Sequence, residues 1–261
     1  MNKILTISNK EYHSLPALSF SSYKEFFKSP AHYQAYINKP YTKATDSQDL
    51  GTLVHKAILE PDDFELLVQV VEGNRNSNRV KQEIEALEAA GCMVVKPAHR
   101  EAALRARDAI YSHPIIKDLL FGGIAEGSIV TKDAETGAPI KCRPDYFIQA
   151  ASVILDLKTF DDLTDRSVER QIVKQRYQLQ ALHYLNVCSS FLNKPIRLFG
   201  NIFIETEPPY GVRLVTVSDA SLEKAAEQFK YKETLAKFKA CLDSNEWPNY
   251  PIEPYNAELF F

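Results

Sequence analysis

Residues 141–158, KCRPDYFIQAASVILDLK, hold Pro144-Asp145, ten further residues, and then Asp156-Leu157-Lys158. Residues 153–158 alternate as a strand does, and side chains two apart on a strand share a face. Asp156 and Lys158 therefore point one way, while Leu155 and Leu157 point into a core. Residues 143–148 read as the strand before it, with Gln149-Ala150-Ala151-Ser152 as the turn. Closing that hairpin brings Asp145 beside Asp156. Two carboxylates with nearby backbone carbonyls form a hard-oxygen site suited to Mg²⁺ or Mn²⁺. A lysine on the same face can orient or help deprotonate a water and stabilise charge developing on a phosphate. The plain alternative is a solvated hairpin whose charges face water, because the pattern is short and loose.

Other elements must position this hairpin. Ser19 or Ser21 can cap a helix with Tyr23, Phe26 and Phe27 on one side. Ser29-Pro30 interrupts it, and a second helical piece carries Tyr33, Tyr36 and Ile37. These aromatics read as core. Residues 4–7 look strand-like, and residues 38–48 are polar and turn-rich. Residues 49–60 read as a helix that ends at or before Pro61. Leu50, Val54 and Ile58 form its apolar stripe, and Gly51 and His55 form the stripe beside it. A glycine in mid-helix costs stability and often marks close approach by another group. His55 can be a ligand or a packing residue.

The spacing then predicts a strand over 66–71, a polar loop over 72–79 with Arg75 and Arg79, and helices over about 80–90 and 97–112. Arg100, Arg105 and Arg107 make a solvated face or a nucleic-acid-facing one. Strands follow over 126–131 and 139–148, around a hairpin loop ending near Gly137. Glu126 opens the first of these and is either exposed or near the two aspartates. Past an acidic loop, a long helix over 167–190 sets Tyr177, Gln180 and Tyr184 on one face. A buried glutamine there needs a partner, which a lysine, a phosphate, a metal-bound water or solvent can supply. Strands over 198–205 and 212–217, joined by a Pro208-Pro209 turn, precede a helix over about 219–243 that Ser218 can cap. The tail carries Trp247. The sum is one α/β domain over 1–261: a helical part to about 120, a sheet core over about 125–217, and a closing helix and tail over 218–261.

Composition narrows the classes. The 261 residues are 45% hydrophobic and 25% charged, ordinary for a globular chain with a sizeable core. A formal net charge of -3 gives no global basic field, although a local basic channel can coexist with an acidic exterior. Four scattered cysteines with no C-x-x-C point to a reducing compartment, and away from structural zinc or an iron–sulfur cluster. No apolar run reaches membrane-spanning length and no leader pattern opens the chain, so no membrane role and a cytoplasmic location are expected.

Taken in order, Gly51-x-x-x-His55, Pro144-Asp145, Asp156-x-Lys158 and Gln180-x-x-x-Tyr184 resemble the RecB-type branch of the P-D…(D/E)-x-K nucleases. Within it the chain is most similar to the C-terminal nuclease domain of RecE (exonuclease VIII). The segments LGTLVHKAILEPDDF, EGSIVTKDAETGAPIKCRPDY, ILDLKT, RYQLQALHY and NEWP carry the resemblance, together with residues 7–27. It implies a central mixed β-sheet flanked by helices, as in lambda exonuclease. It further implies a Mg²⁺-dependent exonuclease, with Mn²⁺ able to substitute. Such enzymes degrade the 5′ strand of linear double-stranded DNA and leave a 3′ overhang. A single-strand annealing protein of the RecT kind then uses that overhang, typically in phage or prophage. Relatives form rings around DNA, which implies a homo-oligomeric ring, tetrameric by preference, with the last helix and Trp247 as interface material. Carried over residue by residue, Asp145 and Asp156 ligate metal, His55 completes the shell, and the Leu157 carbonyl adds a backbone oxygen. Lys158 holds the attacking water or the scissile phosphate, and Gln180 and Tyr184 position Lys158 or the DNA backbone. The rival readings are a nuclease of the same fold with another polarity or substrate, and a catalytically inactive DNA-binding subunit.

Overall fold

The computed structural model describes residues 3–39, 46–74, 76–196 and 198–250. Readings that fall on residues 40–45, on Arg75 and on residues 251–261 lie outside them. Serines start the first helices. Ser8 caps α1 (Asn9–Ser14) in a box with Glu11, and Ser19 caps α2 (Phe20–Lys28) in a box with Ser22. Ser29 both ends α2 and caps α3 (Pro30–Ile37), whose proline sits in the first turn, where its missing N–H is no loss. Each such cap stabilises its helix by about 1 kcal/mol. In place of a strand over 4–7, Leu5 alone bridges to Ser128.

α4 (Asp46–Leu59) stops before Pro61, as expected, but the same proline opens α5 (Pro61–Leu67), with Asp62 and Asp63 in its first turn. The expected strand over 66–71 is therefore only β1 (Val68–Val70). Then come α6 (Asn78–Ala89), β2 (Met93–Val95), which pairs in parallel with β1, α7 (Pro97–Ser112) and the short α8 (Ile116–Leu119).

The strands β3 (Ile124–Ala125), β4 (Ile129–Lys132), β5 (Pro139–Cys142), β6 (Tyr146–Ile148) and β7 (Val153–Phe160) follow. The strand predicted over 139–148 breaks into two at Arg143-Pro144-Asp145, since proline has no N–H to give a ladder. Glu126 lies in the bend between β3 and β4, outside any strand. The helix predicted over 167–190 is α9 (Asp165–Gln175) and α10 (Tyr177–Leu192), parted by Arg176 in a left-handed conformation with φ 60°. β8 (Leu198–Glu205) and β9 (Val212–Thr216) match their reading. The last helix is also two, α11 (Asp219–Gln228) and α12 (Tyr231–Ser244), parted by left-handed Lys230.

Five strands form a mixed sheet in the order β3–β6–β7–β8–β9, parallel between β7 and β8 and antiparallel elsewhere. β4 and β5 form a separate antiparallel pair. α10 covers one sheet face, where Leu179, Leu185 and Phe191 share a core with Ile154 and Phe199. α4 and α7 cover the other, with Leu53, Val54, Ala106 and Ile110 in one cluster with Leu155, Leu157, Ile202 and Ile204. The alternation along β7 thus sends its leucines to one helical layer and Asp156 to the other. Trp247 stacks on Tyr33 at 5.2 Å between ring centres and meets Phe238 at 6.2 Å. Its ring packs against the chain's own core and stays partly exposed.

Candidate active site

One register sets the site. β6 and β7 pair as Ile148↔Val153, Phe147↔Ile154 and Tyr146↔Leu155, so the next step sets Asp145 against Asp156. β6 has ended by then, whereas β7 continues along β8 to Phe160. At this free edge the Leu157 N–H donates to Asp145 Oδ2 at 2.6 Å. The N–H and C=O of one strand residue face the same edge, so the Leu157 carbonyl is turned the same way.

His55 reaches this edge from α4. Gly51, one turn earlier, lets the helix come up to β7, since a Cβ there would stand 3.2 Å from Thr159 Oγ1. His55 Nδ1 lies 3.5 Å from Asp145 Oδ2. Glu126 arrives from the other side, and its N–H donates to the Asp145 carbonyl at 3.1 Å. Its backbone is left-handed, φ 50°, a conformation that costs a non-glycine residue about 1–2 kcal/mol. One ligand atom each from His55, Glu126 and Asp145 lies within 4.8 Å of the others.

Asp156 adjoins this group with its own oxygens engaged. It is 2% exposed, and its Oδ1 accepts from Gln180 Nε2 at 2.9 Å. Its Oδ2 makes a close ion pair with the Lys158 ammonium. The Lys158 Nζ also lies 4.6 Å from the centre of the Tyr177 ring. The break at Arg176 starts α10 at Tyr177, which puts Tyr177 and Gln180 over β7 in the first turn of that helix. The Tyr184 hydroxyl donates to the Arg143 carbonyl at 3.3 Å. The resemblance assigns Gln180 and Tyr184 to Lys158 or the DNA backbone. Here Gln180 holds Asp156, and Tyr184 holds the bend that carries Asp145.

Charge accumulates at this edge. Burial pushes the Glu126 carboxyl up to about 8, and the neighbouring Asp145 charge adds to the shift. Burial also pushes Asp156 up to about 6, again with Asp145 adding, against the pull of Lys158. Burial pushes the Lys158 ammonium down, but Asp156 and Asp145 together outweigh it and hold the lysine protonated. His55 and Glu126 open onto a cleft of about 550 Å³, lined also by Lys56, Glu60 and Arg143. Two carboxylates and an imidazole converge here, and Glu126 among them holds its proton more tightly than usual, which fits a hard divalent cation that would relieve the same repulsion.

A family model described as a PDDEXK-like domain of unknown function (DUF3799) matches residues 19–254. The chain belongs to this family. Within the matched span stand Pro144-Asp145 and, on β7, Asp156-Leu157-Lys158. Among solved structures, a candidate exonuclease from Eubacterium rectale superposes with a TM-score of 0.64 at 15% identity, over 95% of this chain and 97% of that one. At this identity the likeness is one of fold. A phage-related exonuclease from Haemophilus somnus 129PT gives a TM-score of 0.34 at 16% identity, over 88% of this chain and 96% of that one, too loose to weigh. No curated protein matches the chain by sequence.

Other readings resolve on this PDDEXK-like frame. Arg100 and Arg107, both half-buried, pair with Glu65, and the exposed Arg105 with Glu101. Cys142 and Cys188, far apart in sequence and both buried, bring their sulfurs to 3.7 Å as free thiols. No helix among the described residues is long and apolar enough to cross a membrane.

Proposed function

We propose that this PDDEXK-like protein is a divalent-metal-dependent exodeoxyribonuclease that degrades the 5′ strand of linear double-stranded DNA and leaves 3′ overhangs. One observation carries the reading: His55, Glu126 and Asp145 converge at the free edge of β7, where the Asp156–Lys158 pair already stands. His55, Glu126, Asp145 and Asp156 with the Leu157 carbonyl would hold Mg²⁺ or Mn²⁺, which would lower the pKa of a bound water and offset charge on a phosphate. Lys158, kept cationic by Asp156 and Asp145, donates to a phosphate oxygen or orients the attacking water. Gln180 fixes the Asp156 carboxylate through Oδ1. Asp145 is fixed from two directions, by the Leu157 N–H on its side chain and the Glu126 N–H on its carbonyl.

The finer parts of the reading rest on the resemblance to the RecE nuclease domain. They are the 5′ polarity, Mg²⁺ as the working ion, an annealing partner of the RecT kind, a cytoplasmic setting and a homo-oligomeric ring, tetrameric by preference. A net charge of -3 favours the ring, because grip on DNA then has to come from an enclosed, locally basic channel. The family match over residues 19–254 supports a single nuclease domain. The test is incubation of linear duplex with and without Mg²⁺, with Asp156→Asn in parallel. Wild-type protein should shorten the duplex only with the ion, and the variant should leave it intact. Cleavage by Asp156→Asn at the wild-type rate would overturn the reading.

A further inference from the structure

Asn201 lies on β8 in register with Asp156. It stands between Phe199 and Phe203 on the sheet face toward α10, and all three are fully buried. Neither its Nδ2 nor its Oδ1 has a hydrogen-bond partner among the described residues. Buried side-chain amides are nearly always partnered, and a phenylalanine or valine would fill this face at no such cost. The Gln180 Oε1, on the other neighbour of Asp156, is likewise buried and unpartnered. Unmet polar atoms thus stand on both of these neighbours of the Asp156 carboxylate.

Asp156 has two partners, Gln180 on Oδ1 and Lys158 on Oδ2. A Lys158 that swings toward a phosphate or a water gives up its close hold on Oδ2. A carboxylate only 2% exposed then loses its cation. Side chains at matched positions on adjacent strands lie within contact reach, so the Asn201 amide is the donor next to hand. We infer that Asn201 is a positioning residue for Asp156, donating through Nδ2 to that carboxylate when Lys158 turns to the substrate. The movement of Lys158 rests on the nuclease reading above. The stationary partner, Gln180, keeps Oδ1 in place while Asn201 takes over the other side.

The decisive variant is Asn201→Leu, which keeps the bulk and removes the amide, with Asn201→Ala as its equivalent should leucine not fit. Metal-free Asn201→Leu should melt at or above the wild-type temperature, because an unpartnered buried amide has gone. Its Mg²⁺-induced rise in melting temperature should be smaller than that of wild type. Its kcat on linear duplex should fall by about tenfold or more with KM nearly unchanged, the effect of losing a positioned donor. Asn201→Ser, which keeps a donor, should recover part of the loss. A wild-type Mg²⁺ shift and kcat in Asn201→Leu would overturn the inference. So would losses of metal-free stability and of kcat that run in parallel and that serine does not repair, since packing would then explain both. If wild-type protein does not cut duplex at all, the nuclease reading fails, and the difference in Mg²⁺-induced melting shift still decides the role of Asn201.

Discussion

Asp145 Oδ2 accepts the Leu157 N–H at 2.6 Å, so the first acid of the motif is joined to the strand that carries the second acid and the lysine. The side chain does at this edge what a continued β6 would have done. Asp145→Asn keeps an acceptor and loses the charge. Asp145→Ala loses both and leaves the Leu157 N–H unpaired, at a cost of about 1–3 kcal/mol. Both variants should lose cleavage, but only the alanine variant should melt markedly lower. Equal melting temperatures for the two would show that this bond does not stabilise the fold.

Glu126 makes the protein sensitive to pH. Its carboxyl is raised from 4.5 to about 8, so the folded state favours the protonated form. Its contribution to metal-free stability is therefore full below about pH 4.5 and is lost as pH rises through about 8. Melting of metal-free protein should decline across that window, and Glu126→Gln should flatten the decline. A bound cation displaces the proton, so Mg²⁺ affinity should rise over the same window, by up to about tenfold per pH unit for one proton. Calorimetric titration at both ends of the window tests this, and equal affinities would contradict it.

His55 is partly exposed and touches the site through Asp145 at 3.5 Å. His55→Ala should weaken Mn²⁺ or Mg²⁺ binding by about tenfold or more, as loss of a ligand or of its close support does. The metal-free melting temperature should scarcely change. A collapse of melting temperature with metal titration unaltered would make His55 a packing residue.

Gln180 and Tyr184 separate by what they hold. Gln180→Ala releases Asp156 and should lower turnover by about ten- to a thousandfold, with metal affinity falling as well. Tyr184→Phe removes one long bond to the Arg143 carbonyl and should cost about 0.5–1.5 kcal/mol of stability with little loss of turnover. Turnover losses in the reverse order would exchange the two roles.

Much of this site was legible because it depends on short-range rules. The two-residue period of a strand put Asp156 with Lys158, and hairpin closure put Asp145 beside them. The helical period joined Gly51 to His55 and Tyr177 to Gln180 and Tyr184. What stayed hidden depends on backbone turns with no residue signature. Arg176 and Lys230 are left-handed without being glycine, so each pair of helices reads as one continuous pattern. Pro61 is at once the stop after one helix and the first residue of the next, two signals in a single residue. Glu126 is a lone carboxylate in sequence, and only the pairing of β3 with β6 carries it to Asp145. The partners of Gln180 and Tyr184 lie 24 and 41 residues away, beyond any local period.

The most direct measurement uses one linear duplex labelled at its 5′ ends, the same duplex labelled at its 3′ ends, and a covalently closed circle. Each is incubated with wild-type protein, with and without Mg²⁺. With Mg²⁺, the 5′ label should be released early, the 3′ label should stay on a lengthening single strand, and the circle should survive. Without Mg²⁺, nothing should change. Early release of the 3′ label, a cut circle, or Mg²⁺-independent loss would contradict a metal-dependent nuclease acting on the 5′ strand.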